Sequence, residues 1–181
     1  MEKRNSVFIA TSLDGYIADK NGGIDWLDST PNTENSDMGY FRFMKHIDAM
    51  VMGRNTFDTV CGFDVEWPYT VPVFVLSNSL QEIPAKYQGK AHLVKGSLSE
   101  VLSTIHKQNY HRLYIDGGIT IQQFLNEDLI DEMIITTIPV LLGDGISLFS
   151  ALNHEMYFEL VKSEVHLNQL VQSHYTRKRP Q

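Results

Sequence analysis

The chain contains a single cysteine, Cys61, among its 181 residues. No internal disulfide can form, and no thiolate cluster is available to hold a metal, so no metal centre is expected. Positive charge is scarce too: 15 Lys and Arg stand against 22 Asp and Glu, a net charge of -7. Such a balance excludes nucleic acid or an anionic membrane as a general partner, so any bound anion must meet a local arrangement of donors. No apolar run reaches the length of a membrane span or a signal segment, and a cytoplasmic location is the expectation. Internal repeats, low-complexity tracts and linker-like stretches are missing as well. The expectation is therefore one domain, 1–181, with its own core.

What is present is a recurring strand–glycine–helix pattern. Arg112–Leu125 (RLYIDGGITIQQFL) runs apolar and β-prone, breaks at Gly117-Gly118, and restarts with helical spacing at Ile121, Phe124 and Leu125. A turn of this kind aims the first N–H groups of a helix outward, where the helix dipole favours an anion such as pyrophosphate. The same residues also suit a plain strand-to-helix turn, and both readings stand. Ala49–Met52 followed by Gly53-Arg54-Asn55-Thr56 repeats the pattern with an arginine at the turn. Arg54 is placed either to grip a phosphate with its planar fork or to cap a neighbouring loop.

Around these two units the other elements fall in order. Ser6–Ala10 reads as a buried first strand, and Asp14-Gly15 as a turn. Gly22–Ser36 reads as a long surface loop in which Trp26 is either a satellite core residue or a ring facing a ligand. Asp37 opens a helix carrying Met38, Phe41 and Met44 at helical spacing, with Phe41 and Met44 toward the core. Val71–Leu76 is a third strand ending in Ser77-Asn78-Ser79, small polar residues at the strand end where α/β sheets bind ligands. Ala91–Val94 is a fourth, followed by Lys95-Gly96 and a helix capped at Ser97 or Ser99. Asp131–Val140, then Glu159–Leu170 and Leu170–Arg177, read as strands without a long helix between them, with a turn at Leu142–Gly145. The predicted architecture is an α/β fold: a mixed, mostly parallel sheet with helices on both faces and a C-terminal antiparallel hairpin.

The motifs MGRNTF (Met52–Phe57), VLSNS (Val75–Ser79), LVKGS (Leu93–Ser97) and IDGGITIQQFL (Ile115–Leu125) resemble, in order and spacing, the cofactor motifs of the dihydrofolate reductases. SLDGYIA (Ser12–Ala18) and DEMIITTIPVLLGDGISLF (Asp131–Phe149) are closer to the reductase, C-terminal domain of the riboflavin-biosynthesis protein RibD. The chain thus resembles the stand-alone RibD-like reductases, and a dihydrofolate reductase-like three-layer fold is implied. The ligand motifs of the zinc deaminase domain that precedes this reductase in bifunctional RibD are absent.

The resemblance implies NADPH as cofactor. Ala10 would line the nicotinamide. Gly53, Arg54 and Thr56 would hold phosphates, with Arg54 near the 2′-phosphate. Ser77, Asn78, Lys95 and Gly96 would border the adenosine, and Gly117, Gly118 and Thr120 would cradle the pyrophosphate. A cis peptide is expected between Gly117 and Gly118, as in dihydrofolate reductases. Asp116, where those enzymes commonly carry another glycine, is expected to point away from the pyrophosphate.

Hydride transfer needs an acceptor held against the dihydronicotinamide and a proton for the neighbouring atom. Asp37, spaced from Met-Gly-Arg like the single acid of dihydrofolate reductases, is the candidate proton donor; its other reading is a helix-start carboxylate. Desolvation at a cleft mouth is expected to raise its pKa. Asp14 is a second candidate or a turn-former. Phe41 and Trp26 are the candidate substrate-facing rings. The implied activity is reduction of a small heterocycle or ribosyl-pyrimidine, as in 5-amino-6-(5-phosphoribosylamino)uracil reduction. Dihydrofolate reduction and a non-catalytic NADPH-binding module are the alternatives. Relatives pair as dimers, and apolar residues along the hairpin (Val161, Val165, Leu167, Leu170, Val171) lead to a homodimer as the expectation.

Overall fold

The computed structural model describes residues 2–179 and is built on one eight-stranded sheet, with strand order β5-β4-β3-β6-β1-β7-β10-β9. In chain order the strands are β1 (Arg4–Ser12), β2 (Tyr16–Asp19), β3 (Ala49–Gly53), β4 (Val73–Leu76), β5 (Ala91–Val94), β6 (Arg112–Asp116), β7 (Glu132–Ile138), β8 (Gly145–Ser147), β9 (Tyr157–His166) and β10 (Leu170–Lys178). From β5 through β7 every pairing is parallel; β10 then pairs antiparallel with both β7 and β9. The mixed sheet with a terminal hairpin agrees with the sequence pattern. β2 and β8 form a separate two-stranded sheet.

Four helices cover the two faces: α1 (Tyr40–Met44), α2 (Arg54–Cys61), α3 (Leu98–His106) and α4 (Gly118–Asn126). Alternation along β3 divides the core between them. Ala49 and Val51 join Leu102, Ile105, Ile121 and Phe124 of α3 and α4 on one face. Met50 and Met52 join Phe43 of α1 and Phe57 of α2 on the other. The period-2 side-chain direction of a strand makes this division inevitable once both faces are covered. Phe57, Phe74 and Phe124 are all but fully buried, and truncating one of them to Ala costs about 3–5 kcal/mol. The α3 start is a capping box: Ser97 Oγ accepts from Glu100 N at 3.3 Å while the Glu100 carboxylate accepts from Ser97 N at 2.9 Å.

Three local expectations need correction. The helix after the long loop starts at Tyr40 rather than Asp37, because Met38 (φ 49°) and Gly39 (φ 88°) are left-handed and turn the chain before it can wind. Its buried aromatic is Phe43; Phe41 is 68% exposed, and Met44 is only partly buried. The hairpin turns at residues 167–169 rather than at Leu170. Leu167 and Asn168 both take positive φ (50° and 57°), and Gln169 N donates to His166 O at 3.0 Å. That is the backbone of a primed turn without the glycine that signals one. The loop 22–36 contains one short 3-10 turn, Asp25–Ser29.

Strand order decides where the ends meet. The chain enters at β1, moves outward through β3, β4 and β5, and returns to insert β6 between β3 and β1. The C-terminal ends of β1, β3, β4, β5 and β6 therefore open together on either side of the switch point, where such sheets bind ligands.

Candidate active site

At that edge lies a cavity of about 1060 Å³. The two strand–glycine–helix units form one wall, with Gly53, Arg54 and Thr56 from the first and Gly117, Gly118 and Thr120 from the second. They are interlocked. A Cβ on Gly53 would stand 2.8 Å from Thr120 Oγ1, and a Cβ on Gly117 would overlap Thr56. Gly117 takes φ +91°, a conformation open to glycine. Each helix can thus set its first turn against the opposite strand end, with its N-terminal N–H groups facing the cavity edge.

The Gly117–Gly118 peptide is trans, as are all peptide bonds among the described residues, so the expected cis bond is not there. Gly117 makes the turn through its positive φ instead. Arg54 lies at the first position of α2, where its guanidinium donates to Asp58 at 3.2 Å and to Ser79 Oγ at 3.3 Å. Ser77 Oγ accepts from Leu80 N at 3.0 Å, and Asn78 Oδ1 accepts from Gly96 N at 3.1 Å. The first bond folds the turn after β4 on itself, and the second fastens the β4 and β5 ends to each other. Ala10, Ser77, Asn78 and Gly96 line the cavity; Lys95 does not.

The residues picked for chemistry are placed otherwise. Asp37 is exposed and outside the cavity. Its carboxylate accepts from Phe41 N at 2.7 Å and Gly39 N at 3.1 Å, and these bonds lower its pKa. The expected rise by desolvation is therefore corrected: N–H donors at the start of α1 outweigh burial that is hardly there. Asp14 accepts from Ser12 Oγ at 2.6 Å, Gly143 N at 2.8 Å and Leu142 N at 3.2 Å, tying the β1–β2 turn to the loop before β8. Trp26 and Phe41 do not reach the cavity; from the loop, Lys20, Asn21, Gly22, Ile24 and Leu27 do.

Of the two carboxyls that line the cavity, Glu127 and Asp116, the one beside the Gly117 turn is Asp116. Its Oδ1 accepts from Gly117 N at 2.9 Å, and Oδ2 has no hydrogen-bond partner among the described residues. Burial pushes this carboxyl from the ordinary 3.8 up to about 6, against the smaller opposing pull of Gly117 N–H. Three tyrosines surround it. Burial, then the Asp116 charge, pushes Tyr40 up to about 12 and raises Tyr69 and Tyr114 as well. Tyr114 donates to Phe8 O at 2.7 Å. Tyr69 lines the cavity and makes no hydrogen bond among the described residues. It lies in a stretch between α2 and β4 with no helical or strand period, so pattern reading passes over it.

This geometry fits a dinucleotide. The glycines leave the space that side chains would fill, two helix starts face the same wall, and Arg54 stands at one of them.

Comparison with known proteins agrees with this reading of the fold. Residues 6–172 match the RibD C-terminal domain. A putative riboflavin biosynthesis protein of Shewanella sp. PV-4 has a crystal structure 55% identical in sequence, with a TM-score of 0.95, covering 97% of this chain and 99% of that one. The uncharacterized protein YwjB of Bacillus subtilis (strain 168) is 35% identical over 180 residues, 98% of this chain and 99% of its own. Dihydrofolate reductase of Enterococcus faecalis, solved in complex with NADP(H) and RAB-propyl, shares the fold at a TM-score of 0.65 and 17% identity, covering 97% of each chain.

Proposed function

The chain belongs to the RibD C-terminal domain family, and from that premise we propose that it is an NADPH-dependent reductase of a small heterocyclic or ribosyl-pyrimidine acceptor, of the type used in riboflavin biosynthesis. The observation that carries this reading is the juxtaposition of the interlocked glycine turns with Asp116 in one cavity. Gly53, Arg54 and Thr56 would hold phosphates of the cofactor, Ser77, Asn78 and Gly96 its adenosine, and Gly117, Gly118 and Thr120 its pyrophosphate. Ala10 would line its nicotinamide. When bound, NADPH supplies the hydride. The family relationship and the NADP(H) complex of a dihydrofolate reductase of the same fold support that choice.

The protein's own residues do the rest. Asp116 takes the role first sought in Asp37: it lines the cavity with Oδ2 unpaired among the described residues, so the carboxyl can anchor a ring N–H or, near its pKa of about 6, hold a proton for the atom beside the reduced carbon. β2 and β8 add apolar lining to the cavity through Ile17, Ala18 and Ile146.

The test is NADPH oxidation, followed by absorbance, with 5-amino-6-(5-phosphoribosylamino)uracil and separately with 7,8-dihydrofolate. Turnover of the pyrimidine is the expected result. Turnover of dihydrofolate alone would make the protein a dihydrofolate reductase. NADPH binding with neither acceptor consumed, across related pyrimidines, would leave a binding module.

A further inference from the structure

Tyr69 is a cavity residue whose ring packs against the core but whose hydroxyl neither the fold nor the proposed cofactor site uses. Its ring is held from behind: it packs edge-on against Trp67 at 5.3 Å, and Trp67 in turn contacts Tyr87 at 5.2 Å and Phe57 at 6.2 Å. Phe57 is core, and Tyr87 is buried with its hydroxyl bonded to Cys61 O at 3.2 Å. A chain of four aromatic rings therefore fixes one phenol at the cavity wall. Two of its fellows have their hydroxyls engaged, Tyr87 on Cys61 O and Tyr114 on Phe8 O. The Tyr69 hydroxyl, in the same cavity as Asp116, is bonded to nothing among the described residues.

A half-buried phenol normally finds a partner. Here the partner's place is the cavity itself. The phenol stays protonated far above neutral pH, since burial and the nearby Asp116 charge both raise it, so it presents an O–H donor. Asp116 Oδ2 presents an acceptor. A donor and an acceptor in one cavity match a ring edge that offers the converse, a carbonyl beside an N–H.

Resting on the reductase reading above, we propose that Tyr69 is a specificity-determining residue that donates its hydroxyl to a carbonyl oxygen of the acceptor while Asp116 accepts from the adjacent ring N–H, so that the site selects lactam-type heterocycles. A ring without that carbonyl would leave the phenol unpaired in the closed site, which is how buried polar groups reject the wrong ligand.

The experiment uses the full chain saturated with NADPH and two probes, 5,6-diaminouracil, which carries the lactam edge, and 4,5-diaminopyrimidine, which has no carbonyl. Calorimetry on wild type and Tyr69→Phe, which keeps the ring on Trp67, is expected to show about tenfold weaker binding of diaminouracil to the variant. Diaminopyrimidine should bind the variant at least as tightly as wild type, since no phenol is then left unpaired, and NADPH affinity and melting temperature should not move. Equal diaminouracil affinity in the two proteins, parallel loss of both probes, or no binding of diaminouracil to wild type would each overturn the assignment. Absence of NADPH binding in wild type would instead defeat the reductase reading, and an NADPH titration run first separates the two failures.

Discussion

Thr120 sets its hydroxyl oxygen where a side chain on Gly53 would begin: a Cβ there would lie 2.8 Å from Thr120 Oγ1. Thr56 stands in the same relation to Gly117 on the opposite turn. Each helix start is thus seated on the other unit's glycine, and the two turns hold the cavity wall as one piece. This reciprocity gives a physical reason for a glycine followed three residues later by a threonine at both junctions.

Gly117→Ala should break that wall. The residue's φ of +91° and ψ of 133° belong to glycine, and the new methyl would collide with Thr56. The expected cost is about 1–3 kcal/mol of stability, together with loss of NADPH binding. Denaturant unfolding and a fluorescence titration on one preparation check both. Intact NADPH affinity would show that the turn has no part in holding the cofactor.

Asp116 links stability to pH. Its carboxyl is raised from 3.8 unfolded to about 6 folded, so the folded state holds the proton more tightly. Stability from this group is full below pH 3.8 and is lost as pH rises through 6. Asp116→Asn cannot ionise, so it should exceed wild type by about 1–3 kcal/mol at pH 8 and lose that advantage near pH 4. Parallel unfolding curves of the two proteins across this range would disprove the shift. The same variant should lose turnover, a trade of activity for stability.

Asp37→Asn tests the capping role. Its carboxylate accepts from Gly39 N and Phe41 N and is exposed. A lower melting temperature with unchanged hydride transfer is the expected outcome, and the loss should vanish in acid as the carboxylate of the wild type is protonated. A collapse of single-turnover rate in a protein of normal stability would return the proton donor to Asp37.

Arg54→Ala should separate the two nicotinamide cofactors. The guanidinium at the head of α2, now shared between Asp58 and Ser79, is suited to turn to the 2′-phosphate. Its removal should weaken NADPH by about 1.5–3 kcal/mol and leave NADH unaffected. Calorimetry that finds equal losses for both would place Arg54 elsewhere in the site.

The outer strand β9 presents Leu160, Val161 and Val165 to solvent at 57%, 56% and 65% exposure, on an edge paired only with β10. Soluble proteins cover such edges, and we expect a second copy of the chain to do so here. Light scattering at micromolar concentration should give a dimer for the wild type and a monomer for a Val161→Lys, Val165→Lys variant. A monomeric wild type would refute it.

Composition and local pattern were enough for the framework. Apolar runs such as Ala49–Met52 and Leu113–Ile115 bury on both faces wherever they are placed, and the glycines at 53 and 117–118 mark turns because they interrupt the strand pattern before a helical one begins. The side proposed to hold phosphate was readable for that reason: its groups are backbone N–H and short side chains within a few residues of each turn. The side proposed for the acceptor was not. Asp37 has the right spacing from Gly53, yet two left-handed residues, Met38 and Gly39, swing its carboxylate onto the start of α1 and out of the cavity. Asp116 looked like a charge to be turned away from phosphate, and Tyr69 belongs to a stretch with no period to read. Both enter the site through the insertion of β6 between β3 and β1 and the packing of Trp67 on Phe57. Spacing along a chain records distance in residues, whereas convergence in a cavity depends on strand order and on which face each side chain leaves, and those are settled only when the sheet closes.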